Sequence, residues 1–210
     1  MQYIYLHGFA SAPQSRKAQD LRDRFHHLGH PLHIPDLNQD NFTGLTLSRQ
    51  IQQVQTELLT PGQPTTIIGS SFGGLTAAWL GEKFAYVERV ILLAPAFQFL
   101  SNWQPKFPEE QWQRWQETGQ MDIYHYGEQT LLPLAYDFVT DMRQYNDRDL
   151  ARSLPTLIIH GVNDDVVPVQ VSRGYGEGRS HVRLLEVDSD HSLGDQLETI
   201  WKETMQFCEL

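Results

Sequence analysis

Short apolar runs alternate along the chain with stretches in which apolar residues recur every three or four positions. Tyr3-Ile-Tyr-Leu6, Thr65 to Ile68, Val90-Ile-Leu-Leu-Ala94 and Thr156-Leu-Ile-Ile-His160 are too short for helices and rich in β-branched or aromatic side chains, so they read as strands. The runs at 90–94 and 156–160 lack a polar face, as expected of strands buried on both sides of a parallel sheet. Leu32-His-Ile34, stopped by Pro35, is a brief further strand, and Val182-Arg-Leu-Leu-Glu-Val187 alternates enough to lie near a sheet edge.

Between the strands, Ala18, Leu21, Phe25 and Leu28 mark one face of a helix running from Ser15 to a terminating Gly29. Leu47, Ile51, Val54 and Leu58 mark a second, closed by Pro61-Gly62; Leu75 to Leu80 is helix-compatible; Leu193 to Phe207, with Leu197, Ile200 and Trp201 inward, is the last. Alternation of this kind predicts an α/β fold, a mostly parallel central sheet of about six strands with helices on both faces. Such a sheet places its sites outside the carboxyl ends of its strands.

The alternation breaks between residues 97 and 146, where Pro105, Pro108, Gly119, Gly127 and Pro133 interrupt a stretch holding Trp103, Trp112 and Trp115. We read it as an insertion after the fourth strand, placed to cap a site and lend it an apolar pocket. Trp112 and Trp115, spaced i to i+3, either face that pocket or anchor a helix on the core, and the sequence leaves both open. Gly174-Tyr-Gly-Glu-Gly-Arg179 follows no apolar strand and reads as a loop rather than a phosphate cradle.

Composition narrows the picture. A chain of 210 residues, 40% hydrophobic, is sized for one core, and we read 1–210 as one domain with 97–146 inserted. A formal charge of −10 with no basic run gives no electrostatic reason to expect nucleic acid or an anionic membrane. No apolar run approaches the roughly 20 residues of a membrane span. The lone Cys208 makes no internal disulfide, and Met1-Gln-Tyr-Ile-Tyr-Leu6 lacks the features of a signal peptide, so a cytoplasmic location is expected. His26, His27, His30 and His33 straddle a helix end, a turn and a strand start; no metal site, and no cofactor, is expected of them.

The chemistry centres on Ile67-Ile-Gly-Ser-Ser-Phe-Gly-Gly74, where a strand meets a helix through Gly-x-Ser-x-Gly. Gly69 and Gly73 flank Ser71 where the strand and helix backbones crowd, the pattern of a nucleophile elbow. The plainer alternative is a tight turn built of small residues. A serine nucleophile needs a base held in its tautomer by an acid, in the chain order serine, acid, histidine. Downstream, Gly161-Val-Asn-Asp-Asp-Val-Val-Pro168 sets two acids, Asp164 and Asp165, past a strand end; spacing does not choose between them. Asp188-Ser-Asp-His191 then supplies the histidine, with Asp188 and Asp190 as solvated loop acids. Backbone N–H groups of Phe72, at the helix start, and Phe9, after His7-Gly8, are the candidate oxyanion donors, and His7 is expected to brace its loop.

These residues resemble the α/β-hydrolase superfamily in identity and order: the elbow at Ser71, His160-Gly161 with Asp164 and Val167-Pro168, then His191. Resemblance to Gly-x-x-Asp-x-x-Val-Pro aligns Asp164, rather than Asp165, with the acid. Tyr5-Leu-His-Gly-Phe-Ala-Ser-Ala-Pro-Gln-Ser-Arg-Lys-Ala18 is similar to the start of the small YqiA-like esterases, from which the insertion at 97–146 departs. Leu134 to Met142 is similar to the return from cap to core in other small acyl hydrolases. The resemblance implies a minimal hydrolase cleaving a small carboxylic ester or thioester. A peptidase on the same triad, or a hydrolase fold that binds a small ligand without turning it over, are the alternatives. Dinucleotide chemistry is disfavoured because no glycine fingerprint opens the first strand-to-helix turn. Nothing in the chain speaks to oligomeric state.

Overall fold

The computed structural model describes residues Met1 to Leu210. In chain order the elements are β1 (Gln2–Leu6), α1 (Arg16–His27), β2 (Leu32–His33), α2 (Leu47–Glu57), β3 (Thr65–Ser70), α3 (Phe72–Lys83) and β4 (Val87–Leu93). After β4 come α4 (Phe99–Trp103), α5 (Glu109–Thr118), β5 (Gln120–His125), β6 (Thr130–Ala135) and α6 (Asp137–Met142). The chain then returns through β7 (Thr156–Gly161), α7 (Val169–Gly176), β8 (Val182–Val187) and α8 (Leu197–Cys208).

Six strands form one parallel sheet in the order β2-β1-β3-β4-β7-β8. Because side chains alternate across a strand, each buried strand feeds two cores. Ile4, Leu6, Ile67, Val90, Leu92 and Ile158 join the core shared with α2, α3 and α7. Tyr3, Tyr5, Ile68, Ile91, Leu157 and Ile159 join the opposite one, where Leu21 and Phe25 of α1 and Ile200 of α8 cover them. This explains why the runs at 90–94 and 156–160 show no polar face in the sequence. No helix is long and apolar enough to cross a membrane.

The segment between β4 and β7 is more regular than its prolines and glycines foretell. It holds a two-stranded antiparallel hairpin, β5 with β6, which the sequence pattern did not reveal. Its tip is pinned to the loop after β1, where the Tyr126 N–H donates to the Ala10 carbonyl at 2.8 Å. Its two ends are drawn together where Asp147 accepts from the Gln98 N–H at 2.5 Å. On the return, Asp141 of α6 accepts from the Ser48 N–H at 3.0 Å, in the first turn of α2, where a helix leaves donors unsatisfied.

Two boundaries differ from expectation. Gly174 and Gly176, read as loop, belong to α7, whose buried Val169, Val171 and Ser172 hold its first turns on the sheet. The last helix starts at Leu197 rather than Leu193, because Leu193 turns left-handed, with φ 51°, to close the loop that carries His191.

Candidate active site

Ser71 sits between β3 and α3 with φ 54° and ψ −116°, a backbone conformation that costs an ordinary residue about 1–3 kcal/mol. Its neighbours make this turn possible. A Cβ on Gly69 would lie 2.2 Å from the Gly73 carbonyl oxygen, and one on Gly73 would lie 2.2 Å from that of Leu6. The elbow is therefore wedged against β1 as well as folded on itself. The strain is held by the flanking structure: the Ser71 N–H donates to the Leu93 carbonyl at 2.8 Å, and the Ser71 carbonyl accepts from Gly74, Leu75 and Ala96.

From the turn, the Ser71 hydroxyl lies 3.0 Å from His191 Nε2, and His191 Nδ1 lies 2.7 Å from Asp164 Oδ2. With Nδ1–H donating to the carboxylate, Nε2 is left to accept from the hydroxyl. Asp164, not Asp165, meets the histidine; Asp165 is exposed on the same loop. Gly161 lets the two loops meet, because a Cβ there would lie 2.3 Å from the Ser189 carbonyl oxygen of the histidine loop.

Asp164 is fixed from several sides. Its Oδ1 accepts from the Val166 and Val167 N–H groups at 2.9 and 2.7 Å, and its Oδ2 takes a second histidine contact, His160 Nε2 at 3.1 Å. Burial pushes the Asp164 carboxyl up, but donors from His160, His191 and the backbone outweigh it and hold it well below the usual carboxylate range. His160 Nε2 also faces the Val167 carbonyl at 2.9 Å, so this nitrogen carries the proton, and Nδ1 meets the Ser172 hydroxyl of α7 at 2.7 Å. In the sequence His160 stands only as the end of a strand and a point of resemblance. Strand parity was the available signal: His160 shares a face with Ile158, toward α7, in a position where a lone polar residue must find partners.

The other predicted positions fall around Ser71. Gly8 lies beside it, a Cβ there coming within 3.4 Å of the Ser71 Cβ. The Phe9 N–H has no backbone partner, and Phe72 opens α3, where the first N–H groups lack intrahelical acceptors. His7, 1% exposed, accepts from the Leu37 N–H at Nε2 (3.0 Å) and donates from Nδ1 to the Gly8 carbonyl (3.0 Å), so both nitrogens brace the loop. A cavity of about 730 Å³ opens over Ser71 and His191, and the segment after β4 walls it with Phe97, Phe99, Trp103, Phe107 and Ile123. Trp103 stands on that wall with its ring centroid 5.4 Å from that of Phe9. Trp112 and Trp115 do not: they are buried beneath α5, and the Trp115 indole donates to the Leu134 carbonyl at 2.9 Å. Their i to i+3 spacing serves anchorage, because α5 has one buried stripe and these two residues are it. The basic tether Lys106 spans from this segment to the acid loop, donating to the Asp165 and Val166 carbonyls at 3.0 and 2.9 Å. No group of three or more His, Cys, Asp or Glu side chains is arranged to hold a metal ion.

Solved structures share this architecture at low identity. A protein of Agrobacterium vitis S4 classed as a hydrolase superposes with a TM-score of 0.83 at 21% identity, over 98% of this chain and 87% of that one. Est1E from Butyrivibrio proteoclasticus, with ferulic acid bound, gives 0.76 at 16% identity, over 100% and 90%. Mouse alpha/beta hydrolase domain-containing protein 10 gives 0.73 at 17% identity, over 99% and 89%. At these identities the likeness speaks for the fold. No curated protein matches the chain in sequence. Residues 2–208 match the model of the uncharacterised protein family UPF0227, and the chain belongs to that family, built on the α/β-hydrolase fold.

Proposed function

We propose that the protein is a serine hydrolase that cleaves a carboxylic ester or thioester of a small acyl substrate through an acyl-enzyme intermediate. The observation that carries this reading is the continuous hydrogen-bonded chain from Ser71 through His191 to Asp164 at the floor of an aromatic-walled cavity. His191 removes the hydroxyl proton as Ser71 Oγ bonds to the acyl carbon, and the imidazolium is stabilised by Asp164. The oxyanion that forms is received by the N–H groups of Phe9 and Phe72, the latter at the positive end of α3. Collapse of the tetrahedral intermediate breaks the bond to the alcohol or thiol, which leaves with the proton from His191. Water, deprotonated by the same histidine, then releases the acid. The aromatic wall shields the acyl group and favours an apolar one of medium length or an aromatic ring.

Steady-state hydrolysis of 4-nitrophenyl esters and acyl thioesters of graded length tests the proposal. Ser71→Ala abolishes turnover, Asp164→Asn lowers kcat by about 10⁴-fold, and Asp165→Asn changes it little. Full hydrolysis by Ser71→Ala, or a larger loss in Asp165→Asn than in Asp164→Asn, contradicts it.

A further inference from the structure

The cavity is lined in part by polar side chains that acyl transfer at Ser71 does not use. Tyr5, Ser15, Lys17 and Ser70 line it beside Ser71 and Ser192. Tyr5 is fully buried, and its hydroxyl lies among those of Ser15 and Ser70. Lys17 reaches in from the first turn of α1 and donates to the Ser192 carbonyl, but none of the chain's ion pairs includes it.

A half-buried ammonium with one neutral acceptor is incompletely paired, and desolvation pulls Lys17 down to about 8 against the opposing pull of Asp190 and Asp164. Those two carboxylates are engaged elsewhere: Asp190 with the Ser192 N–H and hydroxyl at 2.8 and 2.6 Å, Asp164 with the two histidines and its own turn. The start of α1 adds to the positive field, since its N-cap Ser15 makes no capping bond and its first turn holds no acid. The remaining acids on the lining, Asp122 and Asp165, are exposed to solvent, like Asp190. The lining thus carries three exposed acids and one half-buried lysine, the only cation on it.

We propose that Lys17, Ser15 and Tyr5 form an anion subsite, in which Lys17 with the Ser15 hydroxyl receives a carboxylate or phosphate carried by the substrate, Tyr5 holding Ser15 from behind. The proposal rests on the reading of Ser71 as nucleophile for the word substrate, and it narrows that substrate from any small acyl ester to one with an anionic group. Apolar and anionic parts then bind against different walls of one cavity, which fixes which carbonyl reaches Ser71.

Calorimetric binding to the Ser71→Ala protein tests this without requiring turnover, so a failure of catalysis leaves the result readable. Two probe pairs differ only in charge: monomethyl adipate against dimethyl adipate places the anion on the acyl half, and 4-(butanoyloxy)benzoate against its methyl ester places it on the leaving half. In at least one pair the anion binds about ten-fold tighter, the scale of one charge-assisted hydrogen bond. Adding Lys17→Met removes that preference, and Lys17→Arg keeps it. Equal binding within both pairs, no binding of either anion, or a preference that survives Lys17→Met overturns the proposal. So does an equal loss for charged and neutral probes in Lys17→Met, which makes Lys17 only a strut for the histidine loop.

Discussion

His160 shows how much of the site's precision lies one contact away from the chemistry. It is fully buried, and its two ring nitrogens join Asp164, the Val167 carbonyl and Ser172. It is a positioning residue, supplying a second donor to the Asp164 oxygen that His191 uses. Replacing it with Leu leaves that carboxylate short of a donor in a dry site and adds no volume to compensate. We predict that His160→Leu lowers kcat by about 10² with KM little changed, whereas His160→Gln, whose amide presents a donor in the same direction, recovers most of the loss. Equal losses in the two variants, tracking their melting temperatures, would reduce His160 to a packing residue. That Ser71, Asp164 and His191 come together was legible in the sequence because all three sit in loops directly after strands, where topology gathers them. The choice of Asp164 over Asp165 came only by resemblance, since residues side by side in a turn differ in direction and not in spacing. His160 was illegible because a polar residue ending an apolar strand announces burial but not its partner.

At the scale of elements, glycines mark where backbones meet and where they do not. Gly73 abuts the Leu6 carbonyl and cannot accept a Cβ without moving β1 or α3, so Gly73→Ala costs about 3 kcal/mol or more. Gly174 lies in α7 with nothing within 4 Å of a would-be Cβ, so Gly174→Ala raises stability by about 0.4–1 kcal/mol. Chemical denaturation of both variants checks the pair; a neutral Gly73→Ala would mean the elbow is not wedged as described. The same contrast explains what pattern reading missed. Short apolar runs marked all six sheet strands, the inner ones without ambiguity because they are buried on both faces, the edge strands β2 and β8 by a brief apolar pair and by alternation. Three glycines within five residues made α7 look like a loop, although two of them are tolerated there by tertiary packing of Val169, Val171 and Ser172. The hairpin β5–β6 stayed hidden since only one of its faces is covered and Pro133 lies within it, paired with Asp122.

For the molecule as a whole, the segment between β4 and β7 does two separable things. Trp112 and Trp115 hold it on the core, and Trp103 presents it to the cavity. The sequence could not separate these tasks, because one helical spacing suits a pocket and a core equally. Trp115→Ala therefore destabilises the fold by about 3–5 kcal/mol, as expected of a fully buried indole. Trp103→Ala, at a half-buried position, costs less stability but raises KM for esters of longer acyl chains. Thermal melts beside kinetics on graded esters separate the two, and matching stability losses with unchanged KM would remove Trp103 from the binding wall.

The account stands on an activated Ser71, and intact mass after treatment with a fluorophosphonate, with peptide mapping of the adduct, tests that most directly. The 3.0 Å contact from Ser71 to His191 and the 2.7 Å contact from His191 to Asp164 predict one adduct per chain, on Ser71, that is lost in His191→Ala. A folded protein that forms no adduct, or one that labels equally well without His191, would contradict it.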